Sequence, residues 1–155
     1  MSSTFDTKEL NDVIVGRVEP RIYAFLTTSV PRYLKVGDTY RPVPVRIAEW
    51  QKHFEIDAKE NVWDWPAVLK GDVFFRDYSV HQFLQNSKNL IRLDKKTLAT
   101  ISKGRNLYFS NEFFLDASVK NVEEAIEDIK EDYKQSSGKY LFYSTADIDK
   151  NRDDE

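Results

Sequence analysis

Hydrophobic and polar positions repeat with two different periods along this chain, and the switches between them outline its elements. Residues 22–27 place Ile22, Ala24 and Leu26 on one side of a pleat and Tyr23, Phe25 and Thr27 on the other, the period-two pattern of a strand. Ser29, Val30 and Pro31 supply a turn. Tyr33, Leu34, Lys35 and Val36 then run as a second strand into Gly37, which should stop or bend it. Pro42 and Pro44 suit a helix start, because proline presets the backbone angle where an amide has no partner to lose. Val43, Ile47, Trp50 and Phe54 follow at helical spacing toward the core, in a helix ending near His53. Arg46, Glu49 and His53 occupy the neighbouring stripe, which brings the Arg46 guanidinium, its head free, close to the end of the Lys35 strand.

Residues 55–60 form a polar connection. Residues 61–68 are a strand candidate in which Trp63 and Trp65 alternate with polar or small residues, and Pro66 restricts it to an edge or to its own end. Packing is the commoner role for both tryptophans, base stacking the rarer one. A turn at residues 70–72 leads to Val73, Phe74 and Phe75, a further short strand or the approach to a helix. Residues 76–86 are helical, with Asp77 and His81 one turn apart on a single face beside an apolar stripe of Val80 and Leu84.

Residues 89–93 could form a short strand. Asp94 caps a helix over 95–102 that Gly104 stops, and residues 106–114 are extended and aromatic. Residues 119–135 form an amphipathic helix, with Val122, Ala125, Ile126, Ile129 and Tyr133 inward and a solvated acidic face outward. Gly138 breaks it. Residues 139–145 are strand-like and a charged tail follows; at the other end, residues 1–19 form a leader arm carrying Phe5, Leu10, Val13 and Val15. The predicted architecture is α/β of the α+β type: one domain over 20–138, with a small, mainly antiparallel sheet flanked by helices.

Composition changes this picture in three ways. A chain of 155 residues with 14% aromatic side chains can bury a sizeable core, which a disordered chain cannot. It has no cysteine, which excludes disulfides and thiolate metal sites and suits a cytoplasmic protein. There is no signal-peptide pattern and no apolar run approaching a membrane span. The net charge of -3 argues against nucleic acid until its distribution is considered. Residues 20–105 carry fifteen basic against nine acidic side chains, whereas residues 1–19 carry two against four and residues 106–155 six against thirteen. The central block is therefore positive, which is compatible with phosphate contacts.

Ile22-Tyr23, then Lys35-Val36-Gly37 after a short hairpin, then Arg46 at the next helix, resemble the two signature strands and the helix arginine of the GIY-YIG endonuclease superfamily. The lysine in the second triplet is similar to a KIG-like branch found in phage and restriction-associated proteins. The resemblance covers roughly residues 20–115. Asp77 stands in the place of that family's metal-binding glutamate, one methylene shorter, and His81 in that of a histidine one turn later. Ser110-Asn111-Glu112-Phe113-Phe114 resembles the acidic-aromatic segment that closes such domains.

The resemblance implies an endonuclease that hydrolyses DNA phosphodiester bonds with one Mg2+ or Mn2+ held by Asp77, in a restriction, phage or mobile-element system. Fusion to, or association with, a helicase or other restriction module would be in keeping. Arg46 would offset transition-state charge, Tyr23 would hydrogen-bond the attacking water or a phosphate oxygen, and Lys35 would contact phosphate or act as a base. His81 would orient the water or take its proton. His53 would join Lys35 and Arg46 in binding substrate, with Glu112 as a second acid ranked below Asp77.

Each residue also has an ordinary role. Tyr23 fits a half-buried strand aromatic, Arg46 a partner of Glu49 or Asp77, Lys35 an aggregation-resistant strand edge, Asp77 a helix cap, and His81 and His53 satisfied histidines. The alternative function is an inactive GIY-YIG-like module that binds DNA or a partner protein. Geometry separates catalytic from ordinary roles: a site requires Tyr23, Lys35, Arg46, Asp77 and His81 to converge on one concave face.

Overall fold

The computed structural model of the chain describes residues 19–144, so the leader residues Phe5, Leu10, Val13 and Val15 and the charged tail lie outside the described residues. The elements, in order, are β1 (Arg21–Leu26), β2 (Tyr33–Thr39), α1 (Val43–Trp50), β3 (Val62–Pro66), β4 (Val68–Lys70), β5 (Val73–Phe74), α2 (Asp77–Asn86), α3 (Lys95–Ser102), β6 (Phe113–Leu115), α4 (Val119–Gln135) and β7 (Tyr143–Ser144). The strands make two antiparallel sheets, one of order β3-β1-β2-β6 and a smaller one of order β4-β5-β7. The class is α+β. Among the described residues, no helix is long and apolar enough to cross a membrane.

The register of β1 on β2 sets Tyr23 opposite Gly37 and Phe25 opposite Lys35. Alternation therefore gives the larger sheet two faces of different character. Ile22, Ala24, Leu34 and Val36 pack with Val80 and Leu84 of α2 and with Val122, Ala125, Ile126 and Ile129 of α4. Tyr23, Phe25, Tyr33 and Phe113 pack instead with Val43, Ile47 and Trp50 of α1, with Phe54, and with Leu98 of α3. Lys35 projects on the second face, over the Tyr23 and Trp50 rings.

Helix termini follow local chemistry. Pro42 is the N-cap of α1 and Pro44 lies in its first turn, as their fixed backbone angle favours. The helix stops at Trp50 rather than near His53; residues 51–54 continue as turns and still deliver Phe54 to the core. Ser118 and Asn121 form a reciprocal capping box at the start of α4. Ser136, in a left-handed conformation, closes α4 before Gly138 is reached. Asp132 on the same helix is buried, and its carboxylate accepts from the backbone amides of Lys139 and Tyr140 at 3.0 Å each. That bond pair seats Tyr140 in the core and leads the chain into β7, which pairs with β5.

Several local expectations change. Residues 61–68 are two strands in different sheets, parted at the buried Ala67, whose amide donates to Pro20 and whose carbonyl accepts from Phe75. Residues 89–93 contribute a single bridge, Arg92 to Phe114, in place of a strand, and in residues 106–114 only the end pairs. Gly37 neither stops nor bends β2; it lies within the strand, outside the left-handed region. Space explains the residue: a Cβ there would sit 2.5 Å from the Tyr23 hydroxyl and 2.6 Å from its ring carbon Cζ. Gly37→Ala should consequently destabilise the fold by about 1–3 kcal/mol, the usual cost of overpacking. Urea unfolding checks this, and an unchanged midpoint would show that the Tyr23 ring can move aside.

Candidate active site

Lys35 projects from the middle of the larger sheet, since β2 lies between β1 and β6, and this rules out the strand-edge role. Its side chain has no exposure, and Nζ lies 2.6 Å from Glu112 Oε1 and 4.3 Å from the centre of the Trp50 ring. A buried ammonium is costly unless paired, and here one carboxylate and aromatic faces surround it. Burial alone would drive its proton off, but the Tyr23 hydroxyl and the hydrogen-bonded Glu112 carboxylate facing it outweigh burial and raise its pKa. Lys35 is therefore a fixed positive charge rather than a base.

Tyr23 is almost completely buried, and its hydroxyl accepts a hydrogen bond from Trp50 Nε1 at 2.7 Å. Burial pushes its pKa up, so the phenol stays neutral and keeps its own proton to donate. The Arg46 guanidinium lies 5.0 Å from the same Trp50 ring and donates from Nη1 to Glu49 at 2.8 Å. Its head is thus shared rather than free. Glu49 is also clasped by Arg41, whose hydrogen bonds, with those of Arg46, hold its carboxyl down at about 2. One donor remains: Arg46 Nε is buried without a partner.

The acidic side of the site is built at the start of α2. Asp38, on β2, accepts from Arg76 Nε at 2.7 Å and from the Asp77 amide at 2.8 Å. Asp38 therefore does the capping work, and the Asp77 carboxyl is released from that role. Burial, reinforced by the Asp38 and Glu112 carboxylates, raises the Asp77 pKa well above the usual range. Glu112 shifts the other way: burial opposes its charge, but Lys35 and His81 outweigh this and lower its pKa. Of the two carboxyls, which lie within 4.8 Å of one another, Asp77 is the better placed to carry a proton.

His81, one turn along α2, is buried with Nε2 2.7 Å from the Val36 carbonyl. A carbonyl only accepts, so Nε2 carries the hydrogen and Nδ1 keeps its lone pair, with Arg92 Nη2 3.4 Å away. Burial pushes the ring down to about 4, so it is neutral at physiological pH.

Asp77, His81 and Glu112 each offer a ligand atom within 4.8 Å of the others, and this group could hold a metal ion. Two carboxylates and a neutral imidazole suit a divalent cation of oxygen and nitrogen preference. The shorter side chain of Asp77 does not keep it from the group. A continuous run of contacts joins Arg46, Tyr23, Trp50, Lys35, Glu112, Asp77 and His81. His53 touches that run only at its rim: exposed on the turn after α1, it meets the Trp50 ring edge-on at 6.3 Å and stacks on Tyr108 at 4.4 Å. Trp50 and Asp38 are the members that sequence reasoning missed, and Glu112, ranked low, is central. Comparison with protein-family models, curated proteins and solved structures finds no match for this chain.

The neutral histidine gives a direct check. In an NMR titration the His81 ring should remain neutral, protonated on Nε2, from pH 8 down to about pH 5, one unit above its depressed pKa. A His81 transition near the ordinary histidine value of about 6.5 would contradict its buried environment.

Proposed function

We propose that this chain is a metal-dependent endonuclease domain of the GIY-YIG type that hydrolyses DNA phosphodiester bonds. The observation that carries this reading is the meeting, at the buried Lys35 ammonium, of an arginine and tyrosine on one side with two carboxylates and a neutral histidine on the other. Phosphodiester cleavage builds negative charge on oxygens, and the site gathers the groups that offset it.

In this reading Asp77, Glu112 and His81 hold one Mg2+ or Mn2+, which would supply Lewis-acid stabilisation of charge on the phosphate. The Arg46 guanidinium, with its unpartnered Nε, donates to a phosphate oxygen. Lys35 contributes fixed positive charge, and the neutral Tyr23 phenol donates toward the attacking water or a phosphate oxygen. His81, with its lone pair on Nδ1, acts as a ligand and not as a free proton carrier. The excess of basic residues over 20–105 supplies attraction to the backbone. Service within a restriction or mobile-element system, beside a helicase or other restriction module, belongs to the same proposal.

One observation favours the second reading, an inactive module that binds DNA or a protein. Glu112 is already neutralised by Lys35, and burial favours the uncharged form of Asp77, so the group is balanced as it stands. Plasmid nicking in Mg2+ or Mn2+ decides between them. The wild type should nick, and Arg46→Ala and Asp77→Ala, shown folded by circular dichroism, should fall by roughly 10²-fold or more, as losses of charge stabilisation do. Salt-dependent binding without cleavage would support the second reading. Cleavage retained in both variants would remove these residues from the site.

A further inference from the structure

Trp50 does more than close the core. Its ring touches the Lys35 ammonium and the Arg46 guanidinium, and it meets the Tyr108 ring edge-on at 5.8 Å. Tyr108 therefore stands one aromatic ring away from both cations. It belongs to the irregular segment between α3 and β6, which leaves α3 through left-handed Lys103 and Gly104. Whereas Trp50 is 6% exposed, Tyr108 is 50% exposed, and it lies nearly parallel to His53, itself exposed, with 24° between the rings. His53 in turn borders a surface depression that also receives Lys52, Arg105 and Glu55, a positive balance beyond the aromatic pair.

An exposed ring braced by another ring, between the buried Lys35 and half-buried Arg46 cations and a basic depression, has little to stabilise it as ordinary packing. Its π-face matches a nucleobase, and the charge on either side matches the phosphates that flank one. We propose that Tyr108, braced by His53, is a stacking platform for one nucleobase of the strand whose phosphate lies at Arg46. This rests on the nucleic-acid reading given above and adds to it a base-contacting residue far from any signature triplet. Stacking is tolerant of base identity, so the platform sets position along the strand rather than sequence. It also favours a base that is unpaired or turned out of the helix, since a paired base has both faces covered.

The full chain is tested for binding to labelled oligonucleotides at low salt in EDTA, with a single abasic site walked along an otherwise constant strand. Wild type should lose roughly 5- to 150-fold in affinity at one abasic position, the range for a lost base stack. Tyr108→Ala and Tyr108→Leu should lose a similar factor on the intact strand and become indifferent to that position, whereas Tyr108→Trp should bind as wild type. Tyr108→Leu retains apolar bulk over Trp50, so it separates stacking from simple destabilisation, and melting curves for all variants confirm folding. Binding of the intact strand by Tyr108→Ala and Tyr108→Leu at wild-type strength, or an abasic effect that persists in them, overturns the platform and leaves the nuclease reading intact. A wild-type chain that binds no oligonucleotide overturns both.

Discussion

A lysine ammonium without contact with water, in the middle of a four-stranded sheet, is the constraint on which this structure turns. Such a charge persists only where a carboxylate reaches it, and Glu112 does so from the turn that leads into β6, 77 residues away in sequence. Removing Glu112 would leave the Lys35 ammonium buried without its carboxylate. The pair therefore does structural work, fastening β6 to β2, while it also brings positive and negative charge into the one place where the polar side chains gather.

Four consecutive residues of β2 arrange the rest. Lys35 fixes Glu112. The Val36 amide donates to the Glu112 carbonyl, and its own carbonyl holds the His81 tautomer. Gly37 leaves the room in which the Tyr23 ring lies, and Asp38 caps α2 and anchors Arg76. Because Asp38 satisfies the helix start, Asp77 is free to meet Glu112 and His81. A strand that alternates its side chains between two faces can in this way position a cation on one face and a histidine on the helix packed against the other. Trp50 completes the arrangement from α1, linking Tyr23, Arg46 and Lys35 through a single ring.

Much of this was legible in the residues themselves. The hairpin of β1 and β2, the proline-led start of α1, and the capped amphipathic α4 all follow from local periodicity and capping chemistry. Asp77 and His81 declare themselves by lying four apart on one helix face. What local pattern does not carry is pairing between distant short segments. The two-residue strands β5 and β7 have no period of their own, and their sheet exists because Asp132 steers the chain after α4 back toward them. Glu112 was underweighted for the same reason, since its place beside Lys35 comes from strand pairing across the sheet. Trp50 reads correctly as a core residue, but its indole hydrogen bond to Tyr23 becomes visible only once the helix is docked. Gly37 reads in the sequence as a point of conformational freedom, whereas its small size is what matters.

The central claim is that the group of Asp77, His81 and Glu112 takes a divalent cation in preference to keeping its own proton and ion pair. Anomalous diffraction from crystals of the wild-type protein equilibrated with Mn2+ tests this most directly. One strong peak bounded by the two carboxyls and the His81 Nδ1 is the required result. At saturating Mn2+, no peak there, with Lys35 and Glu112 still paired and Asp77 unmoved, would contradict it.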